Sequence, residues 1–143
     1  MNIHKQIRFL ILLPLIITCF GLQNAYSDNH DGKEASDVYL AYIESAQKAD
    51  SFDDITSYWA GWMAESFDRG SDEQKKARLE RLKNSAADKK DAKVTGTKKE
   101  GDLLVVDLKA VYPNGDKMKG QVKMIQENGK YVIEEEYWTL DME

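Results

Sequence analysis

The chain has 143 residues, 42% of them hydrophobic, and a formal net charge of −5. That length can bury one core, and the acidic balance argues against nucleic acid or an anionic membrane surface as partners. One cysteine, Cys19, and two histidines, His4 and His30, leave few places for thiol or imidazole chemistry.

The first residues, MNIHKQIRFLILLPLIITCFGLQNAYSDN, join a basic start (Lys5, Arg8) to an apolar run from Phe9 to Phe20, with Ala25 and Ser27 ahead of Asp28. This layout predicts a secretory signal peptide over 1–27. The run is well short of the roughly 20 residues that a bilayer span needs, and Pro14 interrupts it. The expected protein is exported, periplasmic or secreted, with no membrane span after cleavage. A lipoprotein attached through Cys19 is the weaker reading, because Thr18 stands where the lipid-attachment signal wants a small residue. Taking Lys5 and Arg8 from 20 basic residues leaves 18 against 25 acidic ones, a net charge of about −7. Cys19 leaves too, which removes disulfides, thiol nucleophiles and cysteine metal ligands from the mature domain.

Residues 28–33 are polar and predict a flexible tail, followed by a single domain over 34–143. In EASDVYLAYIESAQKAD, Val38, Tyr39, Tyr42, Ile43, Ala46 and Ala49 recur at helical spacing. A second helix is expected from Ser51, with Phe52, Ile55, Trp59 and Trp62 on one side and an end or bend at Gly61. A third is expected from about Ser71, turning Ala77, Leu79, Leu82 and Ala86 inward. The acid groups in DSFDD and SDE read as helix starts, not as metal sites.

From Ala92 the period changes to two, and KEG, PNG and NG divide the rest into four strands. Taking the first two turns as three-residue loops and Asn128-Gly129 as a two-residue turn fixes a register. One face then holds Ala92, Val94, Gly96, Leu104, Val106, Leu108, Ala110, Met118, Gly120, Val122, Met124, Tyr131, Ile133, Glu135 and Tyr137. The other is lysine-rich and wet, and includes Thr97, Glu134, Glu136 and Trp138. Three helices covering the apolar face of a four-stranded antiparallel meander make an α+β domain.

That order, together with GDLLVVDL and NGDKMKGQVKMIQENGKYVIEEEYW, resembles the nuclear transport factor 2-like superfamily, in particular small exported bacterial lipoprotein-type members with a cystatin-like fold. The resemblance implies a cone in which a curved sheet and helices enclose a pocket, used for catalysis, ligand binding or dimerisation.

Elimination narrows the chemistry. His4 lies in the signal and His30 in the tail, so a Ser-His or Cys-His pair or a histidine metal cage has no support. No phosphate-binding glycine loop occurs, and no cofactor is expected. Of the three glutamates in YVIEEEYWTL, the register places Glu134 opposite Lys123 on the wet face and Glu136 beside it. Glu135 falls opposite Val122, the one acid on the core face. There it either lines a pocket, as a ligand contact or general base with Tyr39, Tyr42 or Tyr137 as donors, or it reaches the rim or pairs with Arg69, Arg78 or Arg81. The first option resembles the acid-plus-tyrosine sites of ketosteroid-isomerase-like members. Trp59 and Trp62 are either core anchors or the pocket mouth for an apolar or sugar-like ligand. If cleavage follows Ser27, Asp28, Asn29 and His30 form an amino-terminal Cu(II) or Ni(II) site.

The reading that follows is an exported, non-enzymatic binding or interaction domain for a small ligand or protein partner, monomeric or a homodimer through its sheet. An inhibitor or immunity-type protein and an acid/base enzyme using Glu135 are the alternatives.

Overall fold

The computed structural model describes residues 20–143, with side chains from His30 onward, so the expected signal segment up to Cys19 lies outside the described residues. Helix α1 (Phe20–Lys48) leads through two 3₁₀ turns (Phe52–Asp54 and Thr56–Tyr58) to α2 (Gly61–Phe67) and α3 (Asp72–Ala87). Strands β1 (Lys90–Glu100), β2 (Leu103–Val111), β3 (Lys117–Glu127) and β4 (Lys130–Leu140) follow, and form one antiparallel sheet in that order. The class is α+β, as expected. No helix among the described residues is long and apolar enough to cross a membrane.

Of the stripe predicted from spacing, Tyr39, Tyr42, Ile43 and Ala46 of α1 and Ala49 just past its end pack with Leu104, Val106, Leu108, Val122, Met124 and Ile133 in the core, and Val38 is partly buried against it. Residues 28–33, expected as a loose tail, belong to the helix. Gly32 is buried there against β1, where a Cβ would stand 2.4 Å from Thr97 Oγ1. Ser71 caps α3 as expected, accepting from Gln74 N at 3.3 Å while Gln74 Oε1 accepts from Ser71 N at 3.0 Å.

The second helix is a correction. The amides of Asp50 and Ser51 donate to Asp54 Oδ2 at 2.9 and 3.0 Å, and backbone bonds from Ile55 N to Phe52 O (2.9 Å) and Trp59 N to Thr56 O (3.1 Å) close two 3₁₀ turns in place of an α-helix. Trp59 then bridges to Ile133 on β4, and Ala60 N donates to Ile133 O at 2.8 Å, so the chain is extended where the aromatic spacing suggested helix. Gly61 opens α2, its amide capped by Glu127 Oε1 and Oε2, each at 3.2 Å.

Three irregularities bend the sheet and shift side chains between its faces. Asn128 and Gly129 form the expected two-residue turn, both at positive φ (52° and 77°), as a type I′ hairpin requires. The β1–β2 turn is Gly101-Asp102, one residue shorter than expected, with Glu100 paired to Leu103. A bulge at Thr95 restores the expected face for Ala92 and Val94. Beyond it Gly96 pairs with Asp107 on the outer face and Thr97 with Val106 on the inner one, the reverse of the prediction. A further shift lies between Lys90 and Lys93, and the third lies in β4 at the glutamates.

Candidate functional site

Met124 pairs with Ile133 as predicted, but Lys123 pairs with Glu135, so Glu134 is an extra residue without a partner on β3. From that point every β4 side chain is on the face opposite to the one expected. Glu136 sits opposite Val122 and Trp138 opposite Gly120, both facing the helices. Glu135 faces outward and pairs with Lys123 Nζ at 2.6 Å, with side chains 60% and 40% exposed. Tyr137 is 65% exposed.

The acid that enters the interior is therefore Glu136. Its Oε2 accepts from the Tyr39 hydroxyl at 2.6 Å. Lys89 Nζ, just past α3, donates to Oε1 at 3.0 Å and Oε2 at 3.2 Å. Trp138 Nε1 donates to the Tyr39 oxygen at 3.0 Å, and the Lys89 ammonium stands 5.5 Å from the Trp138 ring centroid. The side chains of Lys89 and Glu136 are only 3% and 15% exposed. Burial first, then the charge and hydrogen bond of Glu136, raise the Tyr39 phenol well above its ordinary pKa, so it remains a donor. The four residues tie α1, the α3–β1 junction and β4 into one hydrogen-bonded knot.

Its chemistry is that of a closed ion pair. A general base needs a lone pair turned toward a substrate proton. Here both carboxylate oxygens accept from the chain's own donors. Lys89 was missed from the sequence, where it is one of two adjacent lysines after a helix. Trp138 was placed on the wet face. None of the arginines proposed as partners fills that role: Arg78 caps the end of α2, its Nη1 donating to the carbonyls of Ser66, Phe67 and Arg69 at 3.0, 2.8 and 3.2 Å.

Of the other candidates, Tyr42 and Trp59 come together, edge to face at 5.4 Å between ring centroids, with Phe67 a further 5.6 Å from Trp59. They are core anchors, 1% and 6% exposed, whereas Trp62 is 56% exposed and belongs to no shared site with them. Burial, then the charge of Glu136, also raises the Tyr42 phenol. The Trp59 indole N–H is buried without a hydrogen-bond partner among the described residues. In the full-length chain Asp28 and Asn29 lie within α1; the square-planar site with His30 requires the free amine that cleavage after Ser27 would create. His30 instead gathers with Asp31 and Glu34, ligand atoms within 4.8 Å, on the exposed side of the helix.

No protein-family model matches the sequence, and no curated protein matches it. Among solved structures, a variant named Rd1NTF2_05 is 12% identical, with a TM-score of 0.49 over 78% of this chain and 98% of its own. A de novo designed protein with a curved β-sheet is 18% identical, with a TM-score of 0.44 over 77% and 87% of the two chains.

Proposed function

We propose that the chain is an exported, non-enzymatic binding domain of the nuclear transport factor 2-like type, whose working surface is its exterior. One observation supports this reading: the side chains between sheet and helices are packed away from solvent. Tyr39, Tyr42, Val122, Met124 and Ile133 are each at most 1% exposed, and the carboxylate among them is already bonded to Lys89 and Tyr39. Relatives that act on small molecules need an open cone, and the resemblance to ketosteroid-isomerase-like sites loses its acid when Glu135 turns outward.

Two measurements test the two halves of the proposal. A panel of steroid-like and other apolar small molecules is expected to leave both the melting temperature and the intrinsic tryptophan emission unchanged. A saturable shift in either one would overturn the filled interior. Export rests on the Lys5/Arg8 start, the Phe9–Phe20 run and the small residues before Asp28. The mass of the chain recovered from outside the cytoplasm is expected to correspond to a start at Asp28, and recovery of the intact chain from the cytoplasm alone refutes export.

A further inference from the structure

The outer face of the sheet sets lysines against one another. Lys93 pairs directly with Lys109, and Lys109 with Lys119, across β1, β2 and β3. Lys117 lies two residues from Lys119 and so shares its face. Like charges directly opposite one another weaken a sheet, so this row is a local expense that the fold itself does not require.

The counter-charge to Lys109 and Lys119 is Asp141, just past β4. Its side chain is 7% exposed, with Oδ2 3.4 Å from Lys109 Nζ and Oδ1 3.5 Å from Lys119 Nζ. Its backbone N–H donates to Lys117 O at 2.8 Å. One carboxylate is thus seated between two lysines, but at distances longer than the roughly 2.7–2.9 Å of a tight charge-assisted bond. Lys93 and Lys117 form no ion pair among the described residues. With Lys109 they line a groove of about 450 Å³, which Asp91 and Glu143 also border.

We propose that this lysine row is a docking surface for an acidic segment of a partner protein, and that Asp141 occupies the place a partner carboxylate takes. The proposal rests on the reading of the domain as a binding module and names the chemistry of its partner. The row crosses three strands, about 10 Å at roughly 4.8 Å per strand, a span suited to successive carboxylates on one polypeptide and too long for one small anion. The loose grip on Asp141 makes it displaceable. A second copy offering its own acidic α1 would dock head to tail and leave the pairing open, the geometry of a filament.

The test is fluorescence anisotropy of a labelled octaglutamate peptide with the mature protein. Binding is expected to be saturable at about 50 mM salt and to weaken roughly tenfold or more at about 300 mM, despite the acidic net charge of the protein. Lys109→Glu with Lys119→Glu is expected to abolish binding, Lys75→Glu with Lys76→Glu on α3 to leave it intact, and Asp141→Asn to strengthen it several-fold. Circular dichroism establishes that each variant is folded. If the double reversal on the sheet does not fold, Lys109→Gln alone is expected to weaken binding several-fold. No saturable binding, binding indifferent to Lys109 and Lys119, or an Asp141→Asn variant that binds no better would overturn the proposal. Self-association in analytical ultracentrifugation that Lys109→Glu removes would assign the face to a second copy, and tighter binding of heparin than of the peptide would assign it to polyanions. Either result also overturns the proposal, and none of these outcomes touches the filled interior, which the small-molecule panel tests separately.

Discussion

Glu136→Ala is expected to destabilise the domain by about 3–5 kcal/mol, because it strands the Lys89 ammonium inside the protein. A domain of this size has roughly 5–15 kcal/mol in total, so the variant sits near unfolding at room temperature. Lys89 has almost no route to water, its side chain being 3% exposed. The loss therefore includes the desolvation of an unpaired charge as well as the missing hydrogen bonds. Glu135→Gln is the control one residue away. It breaks a pair with Lys123 whose members are 60% and 40% exposed, and is expected to leave stability close to that of the parent. Urea denaturation of the two variants decides the matter: equal losses would mean that Glu136 is not the interior acid.

Replacing both charges separates the value of the ion pair from the penalty of breaking it. Lys89→Met with Glu136→Leu removes two buried charges and leaves apolar groups of similar length. Its stability is expected to lie within about 1–2 kcal/mol of the parent, on either side, well above Glu136→Ala. The Tyr39 hydroxyl then loses its acceptor, which sets the unfavourable part of that balance.

The central strands were legible in the sequence because alternation and the three-residue Pro113-Asn114-Gly115 turn carry their own register. The faces of β2 and β3 followed from it residue by residue. The sequence register put Glu135 on the inner face of β4, and the structure turns its neighbour Glu136 inward instead. Three consecutive glutamates look alike to any periodic pattern, so nothing local marks Glu134 as the extra residue. What selects Glu136 is tertiary: Lys89 and Tyr39 wait on the inner face, 47 and 97 residues away in sequence. The aromatic segment failed for the same reason. Phe52, Ile55, Trp59 and Trp62 have helical spacing, but the Ala60 amide is taken by Ile133 O and the Gly61 amide by Glu127, from strands the helical pattern cannot anticipate. On β1 the turn was misjudged by one residue, and the bulge at Thr95 cancelled the error for Ala92 and Val94 while exposing it at Gly96 and Thr97.

Gly120→Ala tests how the second aromatic arm of the knot is held. Gly120 lies on β3 directly across from Trp138, and a Cβ there would stand 2.5–2.7 Å from the indole ring atoms Cδ2, Cε2 and Cε3. Alanine in a strand ordinarily gains about 0.5–1 kcal/mol over glycine by restricting the unfolded chain. The overlap opposes this with about 1–3 kcal/mol of overpacking, because the ring is pinned by its bond to Tyr39 and by Lys89. The balance is a net loss of up to about 2.5 kcal/mol, accompanied by a changed near-ultraviolet dichroism as Trp138 moves. In a Trp138→Leu background the ring is gone, and the same substitution is expected to become neutral or stabilising. A double-mutant cycle would then show coupling of about 1 kcal/mol or more between positions 120 and 138. Additive losses would mean that Trp138 does not lie over Gly120, and the bulge that turns it and Glu136 inward would fall with that result.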